Sequence, residues 1–107
     1  MNKYETALLI DAKLDNKEYI KTVEKYEKMM KEFSNKEVEI EDAGIKTLAY
    51  AIKKNTQAHY VFFKYKAEPE NILELERHCR IDDNILRFLT VKEEVFEHNE
   101  DEEEEEY

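Results

Sequence analysis

The chain of 107 residues has one glycine, Gly44, one proline, Pro69, and one cysteine, Cys79. A single glycine excludes P-loops, dinucleotide fingerprints and other glycine-rich phosphate cradles, which need several residues free of a Cβ. A lone cysteine cannot close an internal disulfide, and it removes Cys-x-x-Cys metal and redox motifs, so the cytosol is the expected compartment. No apolar run approaches the roughly 20 residues of a membrane span. The opening Met1-Asn2-Lys3-Tyr4-Glu5 does not read as a signal peptide.

Catalytic residues are equally scarce. Ser34 is the only serine and reads as the end of a helix. His78 and Cys79 are neighbours on a helical segment, so their side chains diverge by about 100° and cannot form a nucleophile–base pair. His59 lies in a strand beside aromatics, and His98 lies in an acidic tail. There are no paired histidines, and the glutamate run lacks the turn glycine of a calcium loop. No catalytic residue, metal or cofactor is expected.

What the chain does have is an uneven distribution of charge. It carries 17 basic and 27 acidic residues, a net of −10. Ten of the acids fall after Lys92 (Glu93, Glu94, Glu97, Glu100, Asp101 and Glu102–Glu106), which leaves residues 1–92 neutral, with 17 of each sign. A run of like charge cannot bury enough apolar surface to offset its chain entropy, so 97–107 reads as a disordered acidic tail behind one folded domain, 1–96. From Ala43 to Ala67, by contrast, there are five lysines (Lys46, Lys53, Lys54, Lys64, Lys66) and no acid. Tyr50, His59, Tyr60, Phe62, Phe63 and Tyr65 are set among them. Composition leaves two readings open: a hairpin with core aromatics and solvated lysines, or a surface for RNA phosphates and bases.

The periodicities define the elements. Tyr4, Thr6, Leu8 and Ile10 alternate with Ala7 and Leu9, which is a strand. Asp15-x-x-Glu18 resembles a capping box, and Tyr19, Val23, Tyr26, Met30 and Phe33 follow at helical spacing until Ser34-Asn35. Glu37 to Glu41 alternates as a strand, with Gly44 as a bulge within it, and Leu48 to Ile52 continues it. Asn55-Thr56-Gln57 supplies the turn, and His59 to Lys66 returns. Pro69 opens a second helix, lined by Ile72, Leu75 and Cys79. Asp82-Asp83-Asn84 breaks the chain before a last strand, Ile85 to Val91.

The order β-α-β-β-α-β predicts an α+β, ferredoxin-like fold: a four-stranded antiparallel sheet with both helices on one face. The other face then has no cover, although Ala7, Leu9, Tyr60 and Phe62 point to it, and an uncovered apolar face marks a binding surface. Acylphosphatases share this topology but need a phosphate loop after the first strand; Asp11-Ala12-Lys13-Leu14 is acidic and has no glycine. The RNA-recognition motif shares it too, and Gln57 to Tyr65 has the aromatics of its third strand without the glycines.

A more specific resemblance covers residues 1–92. Gly44-Ile45-Lys46-Thr47-Leu48-Ala49-Tyr50-Ala51-Ile52-Lys53 resembles the signature of bacterial small-subunit ribosomal protein six. Tyr4-Glu5, Leu14-Asp15 and Arg80-Ile81-x-Asp83-Asn84-x-x-Arg87 fit the same family in order, and a glutamate-rich extension is familiar in it. The resemblance implies a ferredoxin-like ribosomal protein, not an enzyme. It implies binding to the central domain of small-subunit ribosomal RNA together with small-subunit ribosomal protein eighteen. Lys3, Lys46, Lys53, Lys54, Arg87 and Lys92 are the candidates for RNA contact. Ala7, Leu9, Leu48, Tyr50, Tyr60 and Phe62 are the candidates for the partner surface, with Leu48 and Tyr50 also open to a core role. The alternative is a free-standing regulator resembling an RNA-recognition motif, with Tyr60 and Phe62 as stacking platforms. No membrane association is expected.

Deleting 97–107 is expected to leave the thermal midpoint nearly unchanged. Non-specific RNA binding should rise slightly at low salt, because a competing anion is gone; at physiological ionic strength screening confines the tail's field to about 8 Å. Calorimetry and filter binding on the truncated chain check both; a large drop in midpoint would mean that Phe96 or Tyr107 docks on the domain.

Overall fold

A computed structural model describes residues 1–35 and 37–93. The expected acidic tail and the last three residues of the expected domain, 94–96, lie outside the described residues. The elements are β1 (Asn2–Asp11), α1 (Asn16–Phe33), β2 (Val38–Ile52), β3 (Asn55–Ala67), α2 (Pro69–Ile81) and β4 (Ile85–Glu93). The strands form one antiparallel sheet in the order β2-β3-β1-β4. This is the ferredoxin-like arrangement that the element order predicts.

Both helices begin where the local chemistry dictates. Asp15 caps α1, its Oδ1 accepting from the Glu18 N–H at 2.8 Å, which satisfies one of the orphan amides of the first turn. Ser34 closes the helix by donating its hydroxyl to the Met30 carbonyl, and Asn35 follows in the left-handed region at φ 54°. At α2, the Asn71 side chain accepts from the Glu68 N–H at 2.9 Å and the Asn71 N–H donates to the Glu68 main-chain carbonyl at 2.9 Å, around Pro69, whose missing N–H costs nothing there.

Alternation then decides which face of the sheet is buried. Tyr4, Thr6, Leu8 and Ile10 of β1 and Val61, Phe63 and Tyr65 of β3 are buried against the helices. Tyr26 and Met30 of α1 and Leu75 and Cys79 of α2 meet them from below, with Tyr19, Val23, Phe33 and Ile72 packed at the margin. One polar chain crosses this core: the Thr6 hydroxyl lies 2.6 Å from the Tyr65 hydroxyl and 2.8 Å from that of Thr90. Each group there is satisfied, so the buried oxygens are not a liability.

The structure corrects the hairpin. The turn expected at Asn55-Thr56-Gln57 falls earlier, because Ile52 pairs with Asn55 and leaves a two-residue loop, Lys53-Lys54. Both lysines have positive φ, 50° and 67°. Two-residue hairpin loops demand that conformation to match the strand twist, and Asn-Gly is the usual solution. Here Asn55 moves into the strand, is buried, and donates its side-chain amide to the Lys53 carbonyl at 3.1 Å. The expected bulge is present at Gly44, with φ 85° and a register shift between Asp42 and Gly44.

Met30→Ala is expected to destabilise the domain by about 2–5 kcal/mol, since it opens a cavity in a fully buried site. Urea unfolding measures it, and a change under about 1 kcal/mol would mean that the helix layer is not packed as described.

Candidate nucleic-acid and partner interface

The register arranges the open face in rows. Glu41, Phe62, Ala7 and Leu89 stand side by side across β2, β3, β1 and β4, and the next row is Gly44, Tyr60, Leu9 and Arg87. Ala7, Leu9, Tyr60 and Phe62 are half-buried among one another, whereas Leu89 is 63% exposed and Val91, in the adjoining row, 48% exposed. The result is an apolar strip with no covering layer among the described residues. At one end the strip gives way to a chequer of charge, with Lys3, Lys64 and Lys66 beside Glu37, Glu39 and Glu93 around an open depression of about 650 Å³. The other end carries a small net positive charge, with Arg87 in the Tyr60 row and Lys46 and Asp11 in the row beyond it.

From that cationic end the β2–β3 hairpin extends as an arm. Between Thr47↔Gln57 and Ile52↔Asn55, β2 places Leu48, Ala49, Tyr50 and Ala51 against Thr56 alone. The surplus residues bow outward, which puts Tyr50 68% in solvent and leaves Leu48 half-buried. Neither residue belongs to the buried core. Lys53 and Lys54 form the tip and are exposed, and the Lys53 ammonium reaches back to within 3.4 Å of the Ile85 carbonyl at the start of β4.

The arm is anchored at its base by groups that the sequence does not connect. Asp42, just before the bulge, accepts from the Gly44 N–H at 2.8 Å, from the Tyr19 hydroxyl at 2.9 Å and from His59 Nε2 at 2.7 Å. An ionised carboxylate can only accept, so Nε2 carries the proton. The Tyr19 and His59 rings stack 3.9 Å apart, within 8° of parallel. Burial pushes the Asp42 carboxyl up, but the three hydrogen bonds outweigh it and hold the group below the usual carboxylate range. A similar knot closes the α2–β4 turn. Asp82 accepts from the Tyr26 hydroxyl at 2.7 Å and from Lys25 at 3.1 Å, and it too is held low against the burial that raises it. The sequence marks only the Gly44 bulge beside the first knot and the Asp82-Asp83-Asn84 break at the second, not the partners that each carboxylate gathers.

The candidate RNA residues do not gather at one place. Lys46, Lys53, Lys54 and Arg87 lie toward the arm end of the sheet. Lys3 stands at the opposite end, directly across from Lys66 and Glu93. Lys92 pairs with Tyr4 and so projects from the helix side of the sheet, away from Arg87. The four central partner candidates, Ala7, Leu9, Tyr60 and Phe62, are contiguous.

Among the described residues the one thiol is not poised for bond chemistry. Burial raises the Cys79 thiol to about 12, so at neutral pH it is an inert core group rather than a nucleophile. Among the described residues no cluster of His, Cys, Asp or Glu could hold a metal ion, and no helix is long and apolar enough to cross a membrane. The class that the fold defines is the ferredoxin-like α+β domain, with one sheet face left open among the described residues. The family model described as Ribosomal protein S6 matches residues 3–92. The chain belongs to that family, whose members are structural constituents of the ribosome in the cytoplasm and not enzymes.

Relatives support the assignment along nearly the whole length. The small ribosomal subunit protein bS6 of Trichormus variabilis is 35% identical over 98 residues, covering 92% of this chain and 91% of its own. The bS6c protein of Guillardia theta is 37% identical over 90 residues, covering 84% and 94% respectively. The crystal structure of 30S ribosomal protein S6 from Thermotoga maritima superposes with a TM-score of 0.79 at 26% identity, covering 86% of this chain and 87% of that one.

The two anchoring carboxylates set the acid side of the stability profile. Their folded values lie below the ordinary value of 3.8. Their contribution is therefore fully present above that value and is lost as pH falls through the lower, folded one. Cys79 and Tyr65 run the other way: burial raises both to about 12, so stability falls as pH rises above about 9, where the unfolded thiol ionises, and further above about 10, where the unfolded phenol does. Urea midpoints against pH should show a plateau between these limits. Asp42→Asn with Asp82→Asn should flatten the acid limb, and an unchanged limb would remove these groups as its cause.

Proposed function

We propose that this protein binds the central domain of small-subunit ribosomal RNA jointly with small-subunit ribosomal protein eighteen during subunit assembly. The observation that supports it most is the pairing of two unlike surfaces: an uncovered apolar strip and, at one end of it, a lysine-tipped arm. Lys46, Lys53, Lys54 and Arg87 contact phosphate, and a neutral body makes unaided RNA affinity modest. Ala7, Leu9, Tyr60 and Phe62 receive the protein partner, with Leu48 and Tyr50 extending that surface along the arm. Lys3 and Lys92 stand apart from this group and contribute at most through separate RNA segments.

The free-standing regulator with stacking aromatics is less well supported. Stacking platforms need rings open to bases within a positive field. Tyr60 and Phe62 are half-buried among Ala7, Leu9 and Leu89, and Glu41 and Glu5 border Phe62. Such surroundings suit an apolar protein surface better than a nucleic acid.

The decisive measurement is binding to a central-domain RNA fragment in the presence of ribosomal protein eighteen, over a range of salt. Lys53→Glu with Lys54→Glu should weaken binding and lower the slope of log K against log salt by about 0.7–0.9 per lost phosphate contact. Lys53→Asn with Lys54→Gly separates charge from turn geometry, because Asn-Gly suits the same left-handed loop. It should lose the same slope while keeping or raising stability. Unchanged affinity and slope in both variants would take the arm tip out of the RNA site.

A further inference from the structure

Among the described residues the aromatic rings are nearly all enclosed. Tyr4, Tyr26, Phe63 and Tyr65 are buried, Tyr19 lies against His59, and Phe33, Tyr60, Phe62 and Phe88 are half-buried. Tyr50 is the one exposed ring, at 68%. It stands where β2 sets four residues against Thr56 alone, so it has no cross-strand partner in register. A single exposed ring would mean little by itself. The charge around it supplies the second observation.

From Thr47 to Gln57 the only charged residues are Lys53 and Lys54, both exposed at the tip. Tyr50 is separated from Lys53 by about 10 Å of extended chain. The carboxylates nearest in register lie at the base of the arm, Asp11 across from Ala58 and Asp42 across from Val61. Asp42 is already engaged by the Gly44 N–H, Tyr19 and His59. An open ring in a field of lysines suits a nucleobase: the ring stacks on the base while the ammonium groups hold adjoining phosphates. Tyr60 and Phe62 do not meet that condition, being half-buried, with Glu41 beside Phe62.

We infer that Tyr50 is a base-stacking residue: its ring takes one unpaired base of the RNA whose flanking phosphates Lys53 and Lys54 contact. The inference rests on the reading of the arm as an RNA contact and deepens it. Lysines alone position a backbone without reading what it carries. A base within a duplex has both faces occupied by its stacked neighbours, so a ring on the arm selects a loop or a bulge. Of the two arm residues that extend the partner surface, Tyr50 is the nearer to the lysine tip. The boundary between protein and RNA falls there, with Leu48 covered by the partner and the Tyr50 ring by the base.

The test measures binding of the full chain to a central-domain RNA fragment, with ribosomal protein eighteen present, over a range of salt. Tyr50→Leu keeps an apolar side chain but has no π face, and should weaken binding by about five- to hundredfold, the range for losing one stacked base. The slope of log K against log salt should stay unchanged, because stacking releases no counterions. Tyr50→Phe and Tyr50→Trp should bind as tightly as the parent or tighter. All three variants should bind protein eighteen alone as the parent does, and urea unfolding confirms that they fold. Full affinity in Tyr50→Leu, a changed salt slope, or a loss in Tyr50→Phe as large as in Tyr50→Leu would each overturn the inference. Weakened binding to protein eighteen alone would overturn it too and give the ring to the protein. The lysine-tip variants separate this failure from failure of the RNA reading itself. If they lose affinity and slope while Tyr50→Leu is neutral, the stacking inference alone falls; if neither change has any effect, the arm is not an RNA contact and both fall.

Discussion

Much of the molecule depends on the two-residue period of β1. This strand is hydrogen-bonded on both sides, to β3 and to β4, so its register fixes theirs. Tyr4, Thr6, Leu8 and Ile10 face the helices while Lys3, Glu5, Ala7 and Leu9 face outward. A slip by one residue would send every one of them to the wrong side and drive Lys3 and Glu5 into the core. The Tyr65–Thr6–Thr90 hydroxyl chain adds a polar check on that register, because its short contacts form only when three strands are aligned together. Apolar packing alone would be more tolerant of error.

Most of the architecture was legible from such periods. The stripe from Tyr19 to Phe33, the Asp15 cap, Pro69 at the head of α2 and the Gly44 bulge each carry a local mechanism that a single sequence displays. The turn did not, because composition pointed to Asn55-Thr56-Gln57 while the chain uses two lysines in left-handed geometry. That choice costs backbone energy and is held by pairing on either side, a tertiary effect invisible in the local sequence. The site was legible only in outline. Apolar residues on the open face could be counted from alternation, yet the Tyr19–His59–Asp42 knot joins three elements and needs the folded register to be seen. Arg87 and Lys92, close in sequence, prove to project from opposite faces of β4.

The arm shows how a neutral body can present a local positive field. Its length comes from the surplus residues Leu48 to Ala51, its base is pinned by Asp42, and its tip sets two like charges side by side. The length and the tip cost stability, through unpaired β-structure, a strained turn and charge repulsion, whereas the Asp42 anchor offsets part of that cost. The body of the domain, packed on Tyr26, Phe63 and Leu75, is where the compensating burial lies. The strained arm thus extends from one end of a sheet whose body carries the packed core.

Cys79 has a consequence of another kind. It is the only thiol in the chain and is 2% exposed, at the seam where α2 meets the sheet and α1. A thiol reagent in solution cannot reach it unless that seam parts. The molecule therefore contains its own opening clock. When reclosing outpaces the chemistry, the labelling rate divided by that of a free thiol gives the fraction of time that α2 stands away from the sheet. Global unfolding and local detachment of one helix would be told apart by comparing that fraction with the denaturant-derived stability, without an engineered probe.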